Sequence, residues 1–132
     1  MTKKLNCILL VDDDAEDNFF HQIVIQDMNI TENIQIAKNG LEALEFLKNE
    51  NQIPPELIFL DINMPKMNGW EFLEAYEELK IFQKAKVIVV MLTTSINPED
   101  KKRSELFPEI TGFNSKPLTE DIVNEIIARH FP

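Results

Sequence analysis

Cysteine occurs once in the 132 residues, so no disulfide framework staples the chain and its stability must come from a packed core. That residue, Cys7, lies inside an apolar run, which favours a packed, unreactive thiol over a nucleophile. Cations are scarce too: 13 Lys and Arg stand against 23 Asp and Glu, a net charge of −10. Nucleic acids reward clustered cations through counterion release, and beyond Lys101-Lys102-Arg103 there is no such cluster, so direct nucleic-acid binding is not expected. Long apolar runs are missing as well. The first, Cys7 to Val11, stops at three aspartates, as neither a signal peptide nor a membrane span would. A cytoplasmic protein with one domain, residues 1–132, and no output domain is the expectation.

What the chain has instead is a set of short apolar runs, each stopping at polar residues. Leu57-Ile58-Phe59-Leu60 does not alternate with polar residues, so as a strand it is covered on both faces, and it stops at Asp61. Asn6 to Val11 reads as a second buried strand and ends at Asp12, Asp13 and Asp14. Val87 to Leu92 ends at Thr93, Thr94 and Ser95, and Ile110 to Asn114 is followed by Ser115-Lys116-Pro117. Asn33 to Ala37 alternates, as an edge strand does.

Helical spacing fills the intervals. Phe19, Phe20, Ile23, Val24 and Met28 mark a helix from Ala15 to Met28, and Leu41, Ala43, Leu44 and Leu47 mark one ending near Asn49. A third runs from Trp70 to Phe82, and a last one carries Leu118, Ile122, Val123, Ile126 and Ile127 to about His130. Asn97-Pro98-Glu99-Asp100 is a strong helix start, but the helix it opens has almost no apolar face and should rearrange easily. His21 and His130, isolated in helical stretches, are expected at the surface. Five strands alternating with five helices predict an α/β fold, a three-layer sandwich around a mainly parallel sheet.

In such folds chemistry gathers at the carboxyl edge of the sheet. Asp12 and Asp13, Asp61, Thr93 and Lys116 all fall there. Converging carboxylates repel one another unless a hard cation neutralises them, and Mg2+ suits oxygen ligands and retains waters. An EF-hand is excluded, because Asp17 stands where its loop needs glycine. A hydroxyl at Thr93 and an ammonium at Lys116 add donors for a small polyanion, the requirement for phosphoryl transfer to a carboxylate, with Asp61 as acceptor.

On these residues the chain resembles the receiver domains of two-component response regulators, both the stand-alone chemotaxis type and, in Leu92-Thr-Thr-Ser95, the phytochrome-associated type. The resemblance covers nearly the whole chain. It implies a flavodoxin-like, doubly wound (βα)5 fold with strand order 2-1-3-4-5. It further implies a phosphoacceptor rather than an enzyme: Asp61 takes a phosphoryl group from a histidine kinase or phosphotransfer protein. By the same resemblance Mg2+ is held by Asp13, Asp61 and the Asn63 carbonyl, with Asp12 supporting. Thr93 is then the switch hydroxyl, Lys116 the charge partner and Phe113 the aromatic switch, while Gly69 lets the loop after the acceptor turn. The output would be a changed surface on the last strand and its flanking helices, offered to a downstream protein, to a phosphoryl acceptor or to a second copy in a homodimer. Three positions depart from the family: Phe113 lacks the commoner tyrosine hydroxyl, Asn68 replaces an aspartate, and Thr94 is bulkier than usual. Asn63 and Ser95 occupy the two variable positions that tune the lifetime of the phosphorylated state.

Three rival readings use the same residues. An aspartyl-nucleophile phosphatase wants a second aspartate where Asn63 stands, and a flavodoxin-like cofactor binder wants a hydroxyl- and glycine-rich loop where the three aspartates stand. A degenerate receiver serving as a constitutive interaction module would not be expected to keep all five site residues.

Overall fold

Uninterrupted apolar runs can form strands only if both faces of the sheet are covered, and the architecture follows from that demand. A computed structural model describes residues 4–49, 51–64, 66–79, 84 and 97–131, and the backbone of 87–93. Its strands are β1 (Leu5–Val11), β2 (Thr31–Ala37), β3 (Leu57–Asp61), β4 (Val87–Thr93) and β5 (Ile110–Ser115). They alternate with α1 (Ala15–Met28), α2 (Gly40–Lys48), α3 (Gly69–Glu77), α4 (Pro98–Ser104) and α5 (Glu120–His130). The sheet is parallel throughout, in the order β2-β1-β3-β4-β5. The expected doubly wound α/β fold is thus the observed one.

Alternation along the central strands divides the core. Leu9, Val11, Ile58 and Leu60 pack with Leu44, Leu47, Phe72, Leu73 and Tyr76 of α2 and α3. Ile8, Leu10, Leu57 and Phe59 pack with Ile25 of α1 and Val123 of α5. Leu118, expected to open the last helix, lies just ahead of it and is fully buried in this second cluster. Cys7 is buried, as its apolar setting predicts, and burial pushes its thiol up to about 11 against a smaller lowering by a backbone hydrogen bond from Gln35.

Several expectations are corrected. Three of the apolar residues that mark α1 lie off its buried face: Phe19, Phe20 and Ile23 are 66%, 48% and 39% exposed, while Asn18, His21 and Ile25 face inward and Met28 packs, partly buried, on the second cluster. His21, expected at the surface, is therefore buried; its ring Nε2 accepts a hydrogen bond from the Leu118 N–H at 3.1 Å, which satisfies it in the interior. α3 ends at Glu77 rather than at Phe82, which lies outside the described residues. Gly69 is the first residue of α3, with no positive φ; the left-handed residue of the preceding loop is Lys66, at φ 66°.

Candidate functional site

Parallel register alone lines up the strand ends. Val11 pairs with Leu60, Asp61 with Leu92, and Thr93 with Ser115, so Asp12, Asp61, Thr93 and Lys116 end four adjacent strands at one edge. The backbone places Thr93 there; Thr94 and Ser95 lie outside the described residues.

Asp12 and Asp61 are 3% and 5% exposed, and Asp13 stands at the rim. One ligand oxygen from each of the three lies within 4.8 Å of the others. The Lys116 ammonium sits among the acids, 2.7 Å from Asp12 Oδ2 and 3.6 Å from Asp61 Oδ1. It also lies 2.9 Å from Oδ2 of Asp17, a residue the site reading did not include. The peptide between Lys116 and Pro117 is cis. Asn63 is exposed, and its backbone hydrogen-bonds the Asp61 carboxylate. Phe113 is half-buried on β5 and packs against the core cluster of α2 and α3.

α1 supports two of these strand ends with its polar inner face. Asp14 caps the helix by accepting from the N–H groups of Glu16 and Asp17 at 2.9 and 3.2 Å, which puts Asp17 in the first turn. Asn18 Nδ2 donates to the Asp12 carbonyl at 2.8 Å, and His21 holds Leu118, two residues beyond Lys116. Neither role has a sequence signal beyond a polar residue at helical spacing.

Burial pushes the Asp61 carboxyl up to about 7, with the charges of Asp12 and Asp13 adding to the rise and Lys116 and the Asn63 backbone opposing it. For Lys116, burial disfavours the ammonium, but short contacts to Asp12 and Asp17 and the charges of Asp12 and Asp61 outweigh it, so its pKa is raised. Burial lowers the His21 pKa, Asp12 and Asp17 counter it, and Lys116 adds to the fall.

This arrangement is short of positive charge. The Lys116 ammonium reaches three carboxylates, those of Asp12, Asp17 and Asp61, with Asp13 close beside them, and the buried Asp12 Oδ2 has that ion pair but no well-directed hydrogen bond. The donors Asp12, Asp13 and Asp61 offer hard oxygens and suit a divalent cation of the magnesium or manganese kind.

Comparison with known proteins agrees with this chemistry. Residues 8–128 match the family model described as "Response regulator receiver domain". The chain is 31% identical over 122 residues to the chemotaxis protein CheY of Halobacterium salinarum, covering 92% of each. It is 30% identical over 122 residues to the sensor histidine kinase CheAY of Helicobacter pylori, covering 92% of this chain but 14% of that kinase. The curated response regulator Rcp1 of Synechocystis is matched over 65% of its length. A crystal structure of the Mn2+-bound form of Rcp1 superposes with a TM-score of 0.74 at 30% identity, covering 93% of this chain and 90% of that one.

Proposed function

This chain belongs to the response regulator receiver family, and we propose on that footing that its Asp61 accepts a phosphoryl group from a phosphohistidine. The observation that carries the proposal is the buried Asp61 at a strand end, beside Asp12 and Asp13 on one side and the Lys116 ammonium at 3.6 Å on the other. In the reaction a carboxylate oxygen of Asp61 attacks phosphorus, the P–N bond of the donor breaks, and the imidazole leaves with the electron pair. An acyl phosphate on Asp61 remains. Lys116 already faces the incoming charge and needs only a short movement to contact it, and the Asn63 backbone orients the attacking carboxylate. Mg2+, held by Asp13, Asp61 and the Asn63 carbonyl with Asp12 in support, would neutralise charge on the transferring group.

The product carries nearly two negative charges and three acceptor oxygens. Thr93 and Lys116 turn towards it, and Phe113 follows. Cavities of about 210 Å3 and about 360 Å3 flank Phe113, one against α5 and one against α4, and leave space beside its ring. α4 is held mainly through its C-terminal side, where Arg103 lies over the Trp70 ring and Phe107 stacks on it. The α4-β5-α5 surface is therefore the output, read by a downstream protein or a second copy. A histidine kinase or phosphotransfer protein would deliver the phosphoryl group in the cytoplasm, docking on the exposed Phe19, Phe20 and Ile23 of α1.

Intact-mass measurement after incubation with a small acyl phosphate tests the chemistry. A gain of one phosphoryl group that needs Mg2+ and disappears in Asp61→Ala is the expected result. No gain, or a gain indifferent to Asp61, would reduce the protein to a constitutive interaction module.

A further inference from the structure

Lys116 does not belong to Asp61 alone. Its ammonium makes its two short contacts to Asp12 and Asp17, at 2.7 and 2.9 Å, and stands off from Asp61 at 3.6 Å. Asp17 comes from another element, the first turn of α1, and its side chain is 36% exposed against 5% for Asp12 and 7% for Asp61. The lysine therefore lies between two buried carboxylates of the site and a third at its rim. Its backbone is fixed separately, because His21 of the same helix holds the Leu118 N–H at 3.1 Å. Removing the Asp17 charge would thus free the ammonium without releasing the loop that carries it.

We propose that Asp17 is a positioning residue that competes with Asp61, and with any phosphoryl group on it, for the Lys116 ammonium. The inference rests on the phosphoacceptor reading of Asp61. Its physical content is a shared counter-ion. While Asp17 holds one donor of the ammonium, the cation charge that Asp12 and Asp61 experience is diluted, which leaves the acidic cluster open to a divalent cation. Once a phosphoryl group arrives, the same hold must be broken for Lys116 to reach it. Asp17 should therefore favour the metal and oppose the anion, a pair of opposite effects that loss of packing alone would not produce.

Two ligands measured on Asp17→Asn expose this. The first is Mg2+ binding to the unphosphorylated protein, followed by calorimetry. The second is binding of beryllofluoride, a tetrahedral phosphoryl mimic, at saturating Mg2+. With Asp17 neutral, Mg2+ should bind about three- to tenfold more weakly and beryllofluoride about three- to tenfold more tightly, the scale of one charge-assisted contact at a half-exposed site. Glu16→Gln removes a charge from the same helical turn without touching Lys116 and should change neither affinity by more than about twofold. In a Lys116→Ala background Asp17→Asn should lose its effect on beryllofluoride.

If Asp17→Asn weakens both ligands, its role is structural and the proposal is overturned. Equal effects from Glu16→Gln, or an effect that survives in Lys116→Ala, would reduce it to a through-space charge and overturn it equally. Should the wild type bind Mg2+ but neither beryllofluoride nor a phosphoryl group, the phosphoacceptor reading fails by itself; the Mg2+ arm still decides whether Asp17 controls Lys116.

Discussion

Asp61 keeps a proton in the folded protein over a pH range where the unfolded chain has lost it, since burial first and the charge of Asp12 second push its carboxyl from 3.8 up to about 7. The sign follows directly. A raised carboxyl pKa means that the native state binds more protons between these values, so its contribution to stability is fully present below about pH 4 and is lost as pH rises through about 7. Asp61→Asn, which imitates the neutral carboxyl, should remove that loss. In the presence of a chelator the variant should exceed wild type by roughly 1–3 kcal/mol at pH 8 and by little at pH 4, as read by urea unfolding. Equal stabilities at pH 8 would mean that the acidic cluster carries no strain. At this scale the sequence was partly legible. Asp12, Asp13, Asp61 and Lys116 could be placed because each follows an apolar strand, a signal read along the chain. Asp17, Asn18 and His21 could not, because a polar residue facing inward on a helix looks the same in sequence as one facing water.

The loop between β3 and α3 shows how an element can substitute one residue type for another and keep its geometry. Asn68 caps α3 with its side-chain oxygen, accepting from the Glu71 N–H at 2.9 Å, while Glu71 Oε1 accepts from the Asn68 N–H at 3.1 Å. The reciprocal cap asks only for an oxygen acceptor at position 68, which asparagine and aspartate both supply, so the departure at this position is structurally silent. Asn68→Asp should leave thermal stability within about 0.5 kcal/mol, whereas Asn68→Ala should cost about 1 kcal/mol. A cost for aspartate as large as that for alanine would show that the amide group has another duty. The same loop is anchored close to α3, where the Met67 carbonyl accepts from the Gly40 N–H at 3.1 Å and a Cβ on Gly40 would meet Met67 Cγ at 2.6 Å. α1 marks where periodicity misleads. Its apolar residues recur at helical spacing, yet Phe19, Phe20 and Ile23 lie outward, because the inner face is taken by contacts to the strand ends. Spacing establishes a helix, but only packing decides which face is covered.

For the whole molecule, the alternation of strands and helices made a parallel α/β sheet legible, while the strand order came only with the family resemblance; a parallel sheet brings every polar strand end to one edge, and that edge concentrates negative charge. A net charge of −10 repels itself, and three of the acids are held within one ligand-sized space. Folding therefore works against electrostatics at this edge, and a cation that binds the native cluster but not the dispersed carboxylates of the unfolded chain must stabilise the fold by mass action. At a free Mg2+ concentration of about 100 times Kd the gain is about 2.7 kcal/mol. For a chain of this size that corresponds to a rise in melting temperature of roughly 5–12 °C. Sodium chloride at matched ionic strength screens the general repulsion but cannot bridge the cluster, so it should give only a small part of that rise. Asp61→Asn removes both a ligand and a source of repulsion; it should melt higher than wild type without the cation and gain much less when Mg2+ is added. Equal rises with sodium and magnesium would show that the cluster is only a crowded surface. A rise specific to magnesium and dependent on Asp61 would show that this fold is completed by its cation before any phosphoryl group arrives.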